Sequence, residues 1–140
     1  MPRELYLEIV TAERLVYSGP VSFINAPGSE GRLGILPGHA ALLASLRPGE
    51  LRLQPRNGEG EIPMAIGGGF LEVSGNRAII LARSAERSGE IDIERALQAR
   101  SRAVERLHKR GPGVDLDRAR SALERAEARL RVAQGHEHVT

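Results

Sequence analysis

Arg87-Ser88-Gly89-Glu90-Ile91-Asp92-Ile93-Glu94-Arg95-Ala96 is where this chain changes texture. Before Gly89 lie all four aromatic residues (Tyr6, Tyr17, Phe23, Phe70) and seven of the eight prolines. After it come two arginine- and alanine-rich stretches split by Gly111-Pro112-Gly113. Asp92 is a capping residue set just ahead of Ile93, Ala96, Leu97, Val104 and Leu107, an apolar set at helical spacing, and Gly111-Pro112-Gly113 stops that helix. In the second stretch Leu116, Ala119, Leu123, Ala126, Leu130 and Ala133 recur alternately three and four residues apart, the seam of a coiled-coil-type pair. Alternating leucine with alanine brings backbones close but provides little apolar area to offset ordering entropy. The spacing therefore predicts a helical hairpin that is marginal by itself.

Upstream of Gly89 the period is two. Leu5, Leu7 and Ile9 alternate with Glu4, Tyr6 and Glu8, which marks a half-buried strand over 4–10. Short runs follow at Arg14–Tyr17, Val21–Ala26, Gly31–Leu36, Leu51–Gln54, Glu61–Ile66, Phe70–Ser74 and Arg77–Ala82. They are bounded by turn residues such as Ser18-Gly19-Pro20, Ala26-Pro27-Gly28, Arg47-Pro48-Gly49, Asn57-Gly58 and Gly75-Asn76. Many short strands at near-regular spacing point to a sandwich or barrel. The expected fold class is α+β: an N-terminal antiparallel β-sandwich over residues 1–88, then a C-terminal antiparallel two-helix hairpin over 89–140. Gly67-Gly68-Gly69 admits two readings, a phosphate loop or a bend between strands, and the absence of a following Lys-Ser/Thr helix start favours the bend.

Charge and composition narrow the function. The 140 residues suit one ordinary domain with an appendage. Up to Gly89 nine arginines face nine acids, and beyond it ten arginines and Lys109 face nine acids, so the net charge of +2 belongs to the tail. That is too weak for non-specific nucleic-acid binding, and the tail has no aromatic platform. With no cysteine there are no disulfides or thiolate metal sites, in keeping with a reducing compartment. No apolar run approaches a membrane span, and Met1-Pro2-Arg3-Glu4 lacks the apolar core of a signal peptide. The expectation is a soluble chain that meets a membrane only through a partner.

Catalysis finds little footing. Histidines occur at 39, 108, 136 and 138, and no serine sits in a nucleophile-elbow context. His136-Glu137-His138 has a spacing that can hold a metal, but in a polar C-terminus it reads first as a frayed end. His39, after Pro37-Gly38, reads as a turn or interface residue rather than a general base. The arginines of the tail are more informative. Arg95 and Arg102 share one helix face and Arg125 and Arg129 another, so a hairpin can converge all four on a polyanion, with Asp92 and Glu86 accepting hydrogen bonds from a base or sugar. The bland alternative is a solvated face laced by the i,i+4 pairs Arg120–Glu124 and Glu127–Arg131. A 23-residue repeat runs through the same region. Ile91-Asp92-Ile93-Glu94-Arg95-Ala96 returns as Val114-Asp115-Leu116-Asp117-Arg118-Ala119, and Arg102, Arg106 and Leu107 return as Arg125, Arg129 and Leu130. Shared helix-start signals and true duplication both account for it.

Three motifs carry a family resemblance: Gly28-Ser29-Glu30-Gly31-Arg32-Leu33-Gly34-Ile35-Leu36-Pro37-Gly38-His39-Ala40 with Leu42-Leu43 and Leu46-Arg47-Pro48-Gly49, then Gly68-Gly69-Phe70-Leu71-Glu72-Val73, then the Asp-x-x-Arg-Ala helix start. From about Leu5 to Ala133 the chain resembles the epsilon subunit of bacterial F-type ATP synthase. The resemblance implies a β-sandwich that binds the gamma subunit and the c-ring through Ser29, Glu30, Gly31, Arg32 and His39. It also implies a mobile helical hairpin that restrains ATP hydrolysis when extended toward the alpha/beta head. It further implies ATP as a regulatory ligand of the folded hairpin, held by Glu86, Ile91, Asp92, Arg95, Ala96, Arg102, Arg125 and Arg129. No cofactor is required, no nucleic acid is bound, and the expected place is the cytoplasmic face of the bacterial cell membrane. The match departs from the family at Arg32, where many members carry an acid, although Glu30 is close by. A free-standing nucleotide or anion sensor is the rival reading, and an enzyme of the phosphatase type is disfavoured for want of a nucleophile or metal set.

Overall fold

A computed structural model describes residues 4–109, 111 and 113–135. Seven strands precede two helices: β1 (Leu5–Val10), β2 (Leu15–Gly28), β3 (Gly31–Ile35), β4 (Leu42–Pro55), β5 (Ile62–Ser74), β6 (Arg77–Ala82), β7 (Ala85–Arg87), α1 (Ile93–Lys109) and α2 (Leu116–Ala133). The ladders run β1-β6-β5-β4-β2-β3, and β1 also pairs with β2, so five strands form a closed, flattened ring. β7 adds to the free side of β5. The expected β-sandwich is present, with one addition: β1 and β6 pair in parallel while the other ladders are antiparallel.

Alternation dictates the core. Leu5, Leu7 and Ile9 of β1, Leu51 and Leu53 of β4, Met64, Ile66, Leu71 and Val73 of β5, and Ile80 of β6 meet inside, together with Val21 and Ile24 of β2. β2, β4 and β5 are 13 or 14 residues long, and each carries glycine and proline in its interior. Arg14–Tyr17 and Val21–Ala26 therefore belong to one strand, as do Glu61–Ile66 and Phe70–Ser74, and Leu51–Gln54 is the end of a strand that begins at Leu42. The supposed turns at Ser18-Gly19-Pro20 and Arg47-Pro48-Gly49 lie inside strands. In β5 the glycine triplet is a kink: Gly68 and Gly69 have φ of 98° and 154°, and a Cβ on Gly69 would overlap the Leu81 carbonyl and stand 2.9 Å from Ala82 Cα. The bend reading holds, and no helix follows it to make a phosphate loop.

A 3-10 turn at Ser88–Glu90 leads into the hairpin. Glu90 straps it down, accepting from the Arg87 amide at 2.9 Å and from the Arg14 guanidinium at 3.1 Å. The Arg87 amide is the main reason its carboxyl lies below the ordinary value of 4.5, with Arg14 adding to it. A depressed folded pKa contributes stability above the unfolded value and loses it as pH falls through the folded one. Glu90→Gln is therefore expected to cost a fraction of ~1 kcal/mol near neutrality, since the pair is solvent-screened. The cost should fade below about pH 4 in melts of both proteins.

The hairpin lies folded on the sandwich with α2 innermost. Asp92 Oδ1 accepts from the Arg95 amide (3.1 Å), the expected cap of α1, and its repeat counterpart Asp115 caps α2 in the same way, its Oδ1 accepting from the Arg118 amide (3.0 Å). The seam toward α1 is as thin as its composition implies: Ala96 and Ala103 of α1 and Ala119, Ala126 and Leu130 of α2 are buried. Ile93, Leu97 and Val104 remain 38–42% exposed. α2 carries a second stripe that the heptad reading omits. Ala128 and Val132, one turn apart, are buried against Ala65 on the outer face of β5, with Ile91 alongside. Pro112 of the interhelical turn lies outside the described residues, as do Met1–Arg3.

Candidate functional site

Two places gather polar groups against the α2–sandwich seam. On one side Arg47 of β4 pairs with Glu124, and Arg32, Glu50, Glu127 and Arg131 line the hollow around this pair. Burial lowers the pKa of the Arg32 guanidinium, with Glu50 opposing the shift and Arg52 and Arg131 adding to it. On the other side Arg129 Nε donates to Glu86 Oε1 at 2.5 Å, both side chains about 30% exposed. Arg125 lies over Gly67, where an added Cβ would stand 3.3 Å from its Cδ. Burial, followed by the neighbouring charges of Arg129, Arg83 and Arg118, holds the Arg125 guanidinium below its usual pKa.

Of the residues expected to hold ATP, the structure thus brings together Glu86, Arg125 and Arg129. Ile91 is half-buried in the small apolar contact beneath them. Ala96 is buried in the helix–helix seam and Asp92 caps α1. Arg95 and Arg102 are exposed on α1, and neither lines the cleft that holds Arg125 and Arg129. The bland i,i+4 pairs do not form among the described residues: Arg120 pairs with Asp117 and Glu124 with Arg47. Arg83 was invisible in the sequence as a member of this group, because it sits at the β6–β7 corner and joins α2 only through the fold. Arg118 was legible as the repeat of Arg95.

The residues expected to meet the c-ring and gamma divide between the two ends of β3. Ser29, Glu30, Gly31 and Arg32 surround the β2–β3 turn, where Ser29 Oγ and Ser45 Oγ are 2.6 Å apart and Arg32 Nε donates to Asn25 Oδ1 at 2.9 Å. His39 lies beyond the other end. Its Nδ1 is 2.7 Å from the Ala40 carbonyl oxygen, and the Gly38 amide donates to Asn76 Oδ1 at 2.8 Å. Nearby, Phe70 of β5 faces Leu81 of β6 across the ladder, both 56% exposed, and Leu43 is 73% exposed. Phe70 also stands opposite Ser45 of β4, so these apolar side chains share one outward face of the sheet with the Ser29–Ser45 contact. His136-Glu137-His138 lies outside the described residues, and among the described residues no group of three or more His, Asp or Glu is placed to hold a metal. Among the described residues no helix is long and apolar enough to cross a membrane.

Comparison with known proteins matches residues 4–88 to the β-sandwich domain of the ATP synthase delta/epsilon chain and residues 90–134 to its long α-helix domain. The chain belongs to the epsilon-chain family of ATP synthase. The ATP synthase epsilon chain of Desulforamulus reducens is 43% identical over 134 residues, covering 96% of this chain and 100% of the relative. That of Herpetosiphon aurantiacus is 52% identical over 130 residues, covering 93% and 94%. A chain in the Euglena gracilis mitochondrial ATP synthase, solved as OSCP, F1 and c-ring, aligns at a TM-score of 0.81 and 26% identity over 96% of this chain and 83% of its own length. A chain of the Tetrahymena thermophila mitochondrial ATP synthase central stalk and c-ring shares the fold at a TM-score of 0.53 and 18% identity, covering 96% and 97%. Membership makes this chain a non-catalytic subunit of the ATP synthase complex, peripheral to its membrane part.

Proposed function

We propose that this subunit couples proton translocation to ATP synthesis and restrains ATP hydrolysis through helices that leave the sandwich, with ATP favouring the folded hairpin. The single observation that carries the reading is the seam beneath α2. A hairpin held by Ala65, Ala128, Val132 and Ile91 and two ion pairs is weakly fastened, and Arg125 and Arg129 stand at that seam beside Glu86. Phosphates neutralise guanidiniums that otherwise repel one another, so a nucleotide bound by Glu86, Ile91, Asp92, Arg95, Ala96, Arg102, Arg125 and Arg129 stabilises the folded form. Ligand at a hundred times its Kd shifts such an equilibrium by ~2.7 kcal/mol. Only differential affinity counts, so the extended form must lack the site.

With ATP scarce, the freed helices turn their basic faces to the alpha/beta head. The sandwich stays on gamma and the c-ring through the Ser29–Arg32 turn, His39 and the exposed Phe70, Leu81 and Leu43. In a bacterium this places it on the cytoplasmic face of the cell membrane. The names of the relatives speak for the complex rather than for a free-standing sensor. Calorimetry on the full chain checks the clasp. Wild type is expected to bind ATP, and Arg125→Ala with Arg129→Ala is expected to weaken it at least tenfold. An unchanged isotherm for the double variant, or no heat of binding in wild type, overturns the ATP clasp.

A further inference from the structure

Asn57-Gly58 lies in the turn between β4 and β5, and neither the stalk face nor the hairpin draws on it. No residue of 56–61 lines the hollows around Arg47 and Arg125 or the one at the Ser29–Arg32 turn. The base of the turn is held firmly: the Arg56 amide donates to the Pro20 carbonyl at 3.0 Å, and Arg52 pairs with Glu61 at 2.8 Å. Beyond that base every residue from Arg56 to Glu61 is exposed. The turn is an open tip on a fixed stem, where small local motions cost the fold little.

Two neighbouring groups at this tip can react with each other. Asn57 Cγ is an electrophile and the Gly58 backbone nitrogen a nucleophile, and joining them closes a five-membered ring. The turn prepares both. Asn57 Oδ1 accepts from the Glu59 amide at 2.9 Å, so an N–H is already aimed at the oxygen that takes negative charge when Cγ is attacked. The Gly58 amide reaches its turn partner, the Pro55 carbonyl, at 3.4 Å, longer than the roughly 2.7–3.2 Å of an ordinary N–H···O bond. Little is lost when that nitrogen swings toward Cγ. Nothing lies within 4 Å of where a Cβ on Gly58 would stand, and an attacking residue without a side chain meets no steric opposition.

The chain has three asparagines, and the other two lack this freedom. Asn25 lies inside β2, opposite Gly34 of β3 and Arg52 of β4, and its Oδ1 accepts from Arg32 Nε at 2.9 Å. The nitrogen that would attack it belongs to Ala26, which is fully buried. Asn76 is clamped at both ends, its Oδ1 accepting from the Gly38 amide at 2.8 Å and its carbonyl from the Tyr6 amide at 2.9 Å. Arg77, which follows it, carries a side chain and is fixed in the β5–β6 ladder.

We propose that Asn57 is a site of spontaneous deamidation through a succinimide, with Gly58 as the nucleophile. Hydroxide removes the Gly58 amide proton, and the nitrogen bonds to Cγ. The Cγ–Nδ2 bond breaks, and ammonia leaves with a proton drawn from water, which restores the hydroxide. A second water then opens the ring. Opening at Cγ gives an aspartyl residue in the ordinary chain path, whereas opening at the backbone carbonyl of Asn57 gives an isoaspartyl residue whose chain runs through Cβ. Each event consumes one water, releases one ammonia and changes no oxidation state. A neutral carboxamide becomes a carboxylate, so the chain turns more acidic by one charge.

The test incubates the full chain at mildly alkaline pH, folded and, as a reference, unfolded in guanidinium chloride at the same pH and temperature. Electron-transfer fragmentation of the intact chain locates the acid and separates aspartyl from isoaspartyl, and released ammonia is assayed alongside. In the folded chain, product at position 57 is expected to accumulate at least tenfold faster than at Asn25 or Asn76, and within tenfold of its rate in the unfolded chain. Gly58→Ala is expected to slow it at least tenfold and Asn57→Gln to abolish the acidic form, with matching thermal melts establishing that both variants are folded. Reaction at Asn57 more than tenfold slower folded than unfolded shows that the turn protects it and overturns the proposal. An unaltered rate in Gly58→Ala, or acid that forms first at Asn25 or Asn76, overturns it as well.

Discussion

Gly69→Ala is expected to lower the thermal midpoint of the full chain by on the order of 10 °C or more, a loss of roughly 3 kcal/mol. The added methyl has nowhere to go. It overlaps the carbonyl oxygen of Leu81, a backbone atom of the paired strand, and it stands 2.9 Å from Ala82 Cα, so no side-chain rotation relieves it. The backbone there, at φ 154°, is also one that residues with a Cβ rarely adopt. β5 pairs with β4, β6 and β7, so a shift at Gly69 spreads into three ladders. Gly89→Ala is the matched control, because its φ is ordinary and nothing lies within 4 Å of a Cβ; its melt should stay close to wild type. A Gly69→Ala protein melting within two degrees of wild type would mean that the kink does not pass so near Leu81.

Ala128→Glu is expected to detach the hairpin while the sandwich persists. Ala128 is fully buried, facing Ala65 and Val132 with no polar group in that cluster to receive a carboxylate. Placing an unpaired charge there costs several kcal/mol unless the helix lifts away, and lifting sacrifices only a small apolar contact and two partly exposed ion pairs. Lifting is therefore the cheaper response. Hydrogen exchange should show amides of α1 and α2 losing protection by at least tenfold while β1, β4, β5 and β6 keep theirs. Gln98→Glu, on the exposed face of α1, should change neither. Uniform loss of protection throughout the chain would show instead that hairpin and sandwich unfold as one unit, and the switch would lose its physical basis.

What was legible in the sequence was local. The alternation of Leu5, Leu7 and Ile9, the cap Asp92, and the change of texture at Gly89 each depend on neighbours within a few residues, and each appears as read. The long strands did not, because Pro20, Pro48 and Gly67–Gly69 have the same composition whether a chain reverses direction or bends in stride. Only the pairing of Leu46 with Gly69 and Pro48 with Gly67 tells those apart. Ala128 and Val132 escaped because alanine is too small to announce a buried stripe beside a leucine-marked one. Arg125 and Arg129 were legible through their spacing and the family motif. Arg83 needed the corner between β6 and β7 to carry it across to α2.

Closing the ring of β1, β6, β5, β4 and β2 leaves β3 and β7, of five and three residues, as the strands at its margins among the described residues. Short margins are poor templates for an incoming strand from another molecule. Phe70, Leu81 and Leu43 nonetheless leave an apolar patch open to solvent. With so little free edge beside it, two copies that touch there have scant means of zipping together into fibrils.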